Sequence, residues 1–166
     1  MEKIELSFDM LAKASELIKV LTAEQIDISR ILNYEHNFNR LERLEAEDLE
    51  KLGIETIAAM DLVANAKYIA EKLHKECHIE YDRVSATRYF DGALEFLKKK
   101  GDVKDSDAAR KRFVDQDPEY LVIKSKRDSW LALTLWLDNK YNSFLNKHLW
   151  VKKEIDRRIA RRGTNE

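Results

Sequence analysis

Apolar positions recur with helical spacing along most of the chain, and the clearest repeat lies near its C-terminal end. Ile123, Trp130, Leu137, Phe144 and Val151 follow one another every seven residues. At 100° per residue, Leu133, Tyr141, His148, Ile155 and Ile159 fall within about 60° of that stripe. No glycine or proline interrupts the segment between Pro118 and Gly163. Asp117 suits the N-cap, and Pro118 suits the first helical position, where a missing N–H costs nothing. The pattern predicts one helix from Asp117 to Arg162, roughly 66 Å long at 1.5 Å per residue. Within it, residues 130–137 (WLALTLWL) are apolar almost all the way round. A helix apolar on every face is buried on every face. That predicts a bundle centre or an oligomer contact through Trp130, Leu133, Trp136, Leu137, Phe144 and Trp150.

A second long pattern precedes it. Ile57, Met60, Val63, Ala66, Ala70, Leu73, Cys77, Tyr81 and Val84 step by three and four, which predicts a helix from Thr56 to about Lys100. Asp91-Gly92 is its weak point, because an internal glycine costs about 1 kcal/mol against alanine. Residues 101–117 read as a charged connection with a short helix over 107–114. Two long helices joined this way form an antiparallel hairpin.

The remaining N-terminal part predicts three short helices. The first lies in residues 1–20. The second follows a Thr22–Gln25 capping box and carries Ile26, Ile28, Ile31 and Leu32, with polar residues 33–39 loosening its end. The third contains Leu41, Leu44 and Leu49 and stops at Gly53. The expected fold is all-α: a long helical hairpin over 54–166, with an acidic N-terminal helical segment, 1–53, packed on it. No alternation suggests a strand.

Composition agrees. Four glycines and one proline in 166 residues leave few turns, and 37% charged residues suit helices with wet outer faces. The net charge of −1 hides an asymmetry: residues 1–60 carry 13 acids against 7 bases, and residues 118–166 carry 6 acids against 11 bases. The basic end calls for an anionic partner or the acidic segment of a neighbouring copy. One cysteine excludes an internal disulfide and fits a reducing compartment. The first ten residues lack a secretory pattern, and no run reaches the ~18 apolar residues of a membrane span. A cytoplasmic protein without membrane contact is expected.

The chemistry-bearing residues are sparse. Glu71, His74, Cys77 and His78 cluster on one and a half turns, and His at i and i+4 can chelate a metal. A di-iron bundle needs two Glu-x-x-His motifs, and this chain has one. A half-exposed polar edge beside a buried cysteine accounts for the cluster better, so no metal and no cofactor is expected. No nucleophile elbow, P-loop or dinucleotide fingerprint is present, which argues against an enzyme. The basic residues stand out instead. Lys152, Lys153, Arg157, Arg158, Arg161 and Arg162 fall within eleven residues, more than a helix C-terminus needs for its dipole. Arg83, Arg88, Lys98, Lys99 and Lys100 form a second group, with Tyr89 and Phe90 beside it. Base clusters with aromatic faces are what single-strand binding requires.

From about residue 65 to 159, the order of features resembles the phage recombination-mediator proteins of the UvsY type. These features are a basic long helix over 65–88, the aromatic pair Tyr89-Phe90, and a charged connection over 102–117. They continue with the Asp117-Pro118-Glu119 helix start, a tryptophan at 130 or 136, and a basic end at Lys152–Ile155. The chain departs from that pattern at Ala86, where the family carries a base, and at Lys147 and His148, where it carries glycine and arginine. Segment 1–60 has no counterpart. The resemblance implies an α-helical homo-oligomer that binds single-stranded DNA and helps a recombinase displace a single-strand-binding protein. The alternative is a helical protein–protein interaction module: a host-takeover or anti-defence inhibitor, or a small subunit of a larger assembly.

Overall fold

The computed structural model describes residues 26, 28–38, 46–101 and 104–163. They form α1 (Ile28–Phe38), α2 (Ala46–Thr87), a π-helical turn (Arg88–Gly92), α3 (Ala93–Lys100), α4 (Asp107–Gln116) and α5 (Pro118–Gly163). No strand occurs among the described residues. The helix expected in residues 1–20, the capping box, and Leu41 and Leu44 lie outside them. The chain divides into two compact units, one built on Ala70–Leu133 and the other on Ile18–Ile69 with Thr134–Glu166. Both long helices contribute to both units.

In the second unit, α2 and α5 run antiparallel. Gly53 lies opposite Val151, Thr56 meets His148, and Lys67 pairs with Asp138 at 2.5 Å. The buried positions on α2 are Leu49, Leu52, Thr56, Ala59, Val63 and Ala66, alternating steps of three and four. Opposite them, Leu137, Phe144 and Val151 are buried at steps of seven. A sustained 3.5-residue repeat keeps one seam facing its partner. The register brings Ala59 level with Phe144 and Ala66 level with Leu137, so small residues on one helix face large ones on the other. Helix α1 docks by Ile31 and Phe38, both buried. The Phe38 and Phe144 rings meet edge-on, 5.4 Å apart at 87°, and Lys140 Nζ donates to both Glu35 oxygens at 2.6 and 2.7 Å.

Three sequence expectations change here. Gly53 does not stop a helix: α2 begins at Ala46 and runs through it, so the boundary expected after residue 53 falls inside a helix. Burial of Leu49 and Leu52 on the same seam outweighs the ~1 kcal/mol propensity cost of one glycine. Ile57 is 48% exposed while Thr56 is fully buried. Thr56 is satisfied internally. Its hydroxyl donates to the Gly53 carbonyl at 2.8 Å, so His148 Nδ1, 3.1 Å away, is the donor to Thr56 Oγ1. The stretch over 33–38, expected to loosen, is helical.

In the first unit, Ala70, Cys77 and Val84 continue the α2 seam in sevens. The apolar stripe then resumes at Ala93 and Leu97, nine residues on, and the wide turn at Arg88–Gly92 takes up part of the offset. The weak point at Asp91-Gly92 is thus a π turn, not a break. A Cβ at Gly92 would meet Phe113 Cε1 at 3.2 Å, so the glycine lets α4 pack closely. Gly101, at φ 67°, ends α3. Ser106 caps α4 by accepting from the Ala109 N–H at 3.2 Å, and Asp117 caps α5 by accepting from the Tyr120 N–H at 3.0 Å. Val84, Val114, Tyr120 and Ile123 form the local core, with Tyr81, Tyr89 and Phe113 packed on it.

Candidate nucleic-acid interface

The apolar residues singled out for self-association are mostly internal. Trp130, Leu133, Leu137 and Phe144 are at most 3% exposed. Trp136 is half-buried, with Lys140 Nζ 5.3 Å from its ring centre. Leu131, on the same segment, is 42% exposed. Trp150 is the exception, at 53% exposed.

In the first unit, Arg88 is committed to structure. Its Nε lies 3.3 Å from Asp117 Oδ2 and its terminal nitrogen donates to Glu119, so it ties the π turn to the start of α5. Arg83, Lys98 and Lys99 are exposed; the Lys100 side chain lies outside the described residues. Two of the connection's bases are paired too. Arg110 donates twice to Asp105, at 2.7 and 2.6 Å, and Lys111 lies 2.8 Å from Asp107, which also accepts from the Tyr89 hydroxyl at 2.5 Å. Arg110 and Lys111 hold these two carboxyls below their ordinary range, and the bond to Asp107 pushes the Tyr89 phenol up. Phe90 is 62% exposed, set edge-on to Tyr89.

A polar aromatic cluster sits on the same unit. The Tyr81 and Tyr120 hydroxyls are 2.8 Å apart, and the Arg127 guanidinium lies 3.9 Å from the Tyr81 ring centre. The bond to Tyr81, with burial, pushes Tyr120 up to about 12. The His74 and His78 rings lie parallel, 6.2 Å apart. Burial pushes His74 down, with His78 adding to the effect. Burial pushes the Cys77 thiol up, which disfavours the thiolate that a metal or an electrophile would need. Among the described residues, no group of three His, Cys, Asp or Glu side chains is placed to hold an ion.

In the second unit, the end of α5 carries the other basic group. Lys152 and Lys153 are exposed. Arg157 and Arg158 both donate to Glu154, at 2.9 and 3.2 Å, and hold its carboxyl below the ordinary range, Arg157 foremost. Arg161 is exposed, and the Arg162 side chain lies outside the described residues. Trp150, Lys153, Arg157 and Arg161 are spaced i, i+3, i+7 and i+11, which places them within about 80° on one helix face. An exposed indole and three bases thus share a surface.

Trp150 also walls a cavity of about 410 Å³. Phe38 comes from α1 and Leu52 from α2; Ser143, Asn146, Lys147 and Val151 come from α5. Lys147 Nζ is 5.6 Å from the Phe38 ring centre, and burial pushes its ammonium down, offset in part by Glu35. No carboxylate appears among these lining residues. Sequence reasoning missed Phe38, Ser143, Asn146 and Lys147 because three helices must converge to make the space. No helix among the described residues is long and apolar enough to cross a membrane. Comparison of the chain with protein-family models, curated proteins and solved structures gives no match.

Proposed function

We propose that this protein is a non-enzymatic accessory protein that binds single-stranded nucleic acid through the C-terminal end of α5. The carrying observation is the shared face of Trp150, Lys153, Arg157 and Arg161, with Lys152 beside it. Such a face combines the two parts that sequence-tolerant strand binding uses, cations along the backbone and an aromatic surface for a base. Arg83, Lys98 and Lys99 give the first unit a subsidiary basic surface with Phe90 near it in sequence. Arg88 is left out, because its bonds to Asp117 and Glu119 tie the π turn to the start of α5, whereas Arg157 pairs only within its own helix end. The resemblance to recombination mediators supports the same reading and adds a recombinase or a single-strand-binding protein as partner. The test is charge reversal of Lys153, Arg157 and Arg161 to Glu, read by fluorescence anisotropy with a labelled oligonucleotide. Binding should weaken for all sequences alike, since phosphate contacts carry no base information. Unchanged affinity would move the site away from α5.

A second reading, a helical interaction module that self-associates or docks another protein, has its own observation. On α2, Ile54, Ile57 and Tyr68 are 70%, 48% and 70% exposed. They lie on the side opposite the buried seam, and exposed apolar groups in line suit a partner helix. Light scattering on the unmodified protein and on an Ile54→Lys/Tyr68→Glu variant separates self-association by this face from a monomer.

A further inference from the structure

We infer that the cavity beneath Trp150 is a receptor for one unstacked nucleobase of a bound strand; this deepens the strand-binding reading and rests on it. Its volume of about 410 Å³ lies in the ~300–1,000 Å³ range of small-ligand sites. Trp150 and Phe38 supply aromatic surface, and every base has a π face to offer it. Leu52 and Val151 make the remaining wall apolar, as a flat heterocycle requires. The polar groups are few and converge from one helix. Asn146 carries an amide with both donors and an acceptor, matching the edge of a base. Ser143 adds a hydroxyl one turn away.

Charge favours the same occupant. Lys147 is the one charged residue among the lining, so the site tolerates an anion and disfavours a cation. Its ammonium is partly desolvated, and a phosphate beside it would restore the charge's lost stabilisation. Lys153 and Arg157 continue along α5 from Trp150 at one and two turns, spaced to follow the backbone leaving the base. The Glu154 carboxylate shared by Arg157 and Arg158 is the internal stand-in that a phosphate would displace. A purely apolar protein side chain would make no use of the Asn146 amide or the Ser143 hydroxyl.

The experiment compares two labelled strands of equal length and charge at low salt, one of deoxythymidine and one of abasic residues. The unmodified protein should bind the abasic strand about tenfold more weakly, since stacking one base contributes on that order. Trp150→Ala should lower affinity for the thymidine strand to the abasic level and leave the abasic affinity unchanged. Ser143→Leu, which puts a bulky side chain into the cavity and keeps the indole, should do the same. Equal affinity for the two strands would overturn the base receptor while leaving phosphate binding in place. A base preference that survives both substitutions would overturn it as well, and would move stacking elsewhere, with Phe90 the next candidate. Binding of neither strand would remove the strand reading and the receptor together. The two-strand comparison on the unmodified protein stands even if a variant fails to fold.

Discussion

Replacing Phe144 by alanine should remove a large part of the second unit's stability. Phe144 is fully buried, lies level with Ala59, and takes the edge of the Phe38 ring at 5.4 Å. Ala59, level with it on the facing helix, is too small to extend into the space. Truncating a buried phenylalanine costs about 3–5 kcal/mol through lost transfer energy and the residual cavity. The aromatic pair with Phe38 adds about 0.5–1.5 kcal/mol beyond area burial, and that is lost too. A chain this size shifts its melting temperature by roughly 2–4 °C per kcal/mol. The variant should therefore melt about 7–26 °C lower, with its urea midpoint reduced and α1 the first element to lose protection in hydrogen exchange. The measurement is thermal and urea unfolding by circular dichroism at two protein concentrations. A loss below about 1 kcal/mol would refute the packing described here. So would a melting temperature that rises steeply with concentration, which would put Phe144 at an interface between copies.

Other outcomes follow from the same geometry. Gly53→Ala should stabilise by about 0.5–1 kcal/mol, because the added Cβ makes only ordinary contact with Val151 at 3.7 Å and the helix gains propensity; destabilisation in a urea melt would contradict a continuous α2. Burial lowers the His74 pKa from its ordinary 6.5, so below that pH the unfolded chain takes up the proton first and stability falls. His74→Gln should flatten the decline in urea midpoint between pH 8 and 5, and an identical decline would refute it. The depressed Glu154 carboxyl contributes stability above the ordinary carboxylate range and loses it as pH falls below; comparing acid unfolding of Glu154→Gln with the unmodified protein checks the sign.

The seven-residue repeat from Ile123 to Val151 named five residues, and all five are buried. The helix start at Asp117-Pro118 was legible because cap chemistry is local. Gly53 was misread for the opposite reason: whether a glycine ends a helix depends on what its neighbours pack against. Thr56 was passed over in favour of Ile57 because hydropathy cannot register a hydroxyl that is satisfied from within. The apolar ring at 130–137 was legible as a buried stretch: Trp130, Ala132, Leu133 and Leu137 are buried, with Leu131 left exposed. The cavity was invisible, since Phe38 lies more than a hundred residues from Trp150 in the chain. Trp150 was singled out for its apolarity, whereas its exposed position among bases is what gives it a use.

If the end of α5 binds the phosphates of a single strand, the affinity must depend on salt. Anisotropy titrations of the unmodified protein across a series of salt concentrations should give a log–log slope of about −0.7 for each phosphate neutralised. Contacts from Lys153, Arg157 and Arg161 together predict a slope near −2, falling toward zero in the triple charge-reversal variant. No binding at low salt, or a slope that the variant leaves unchanged, would contradict the account.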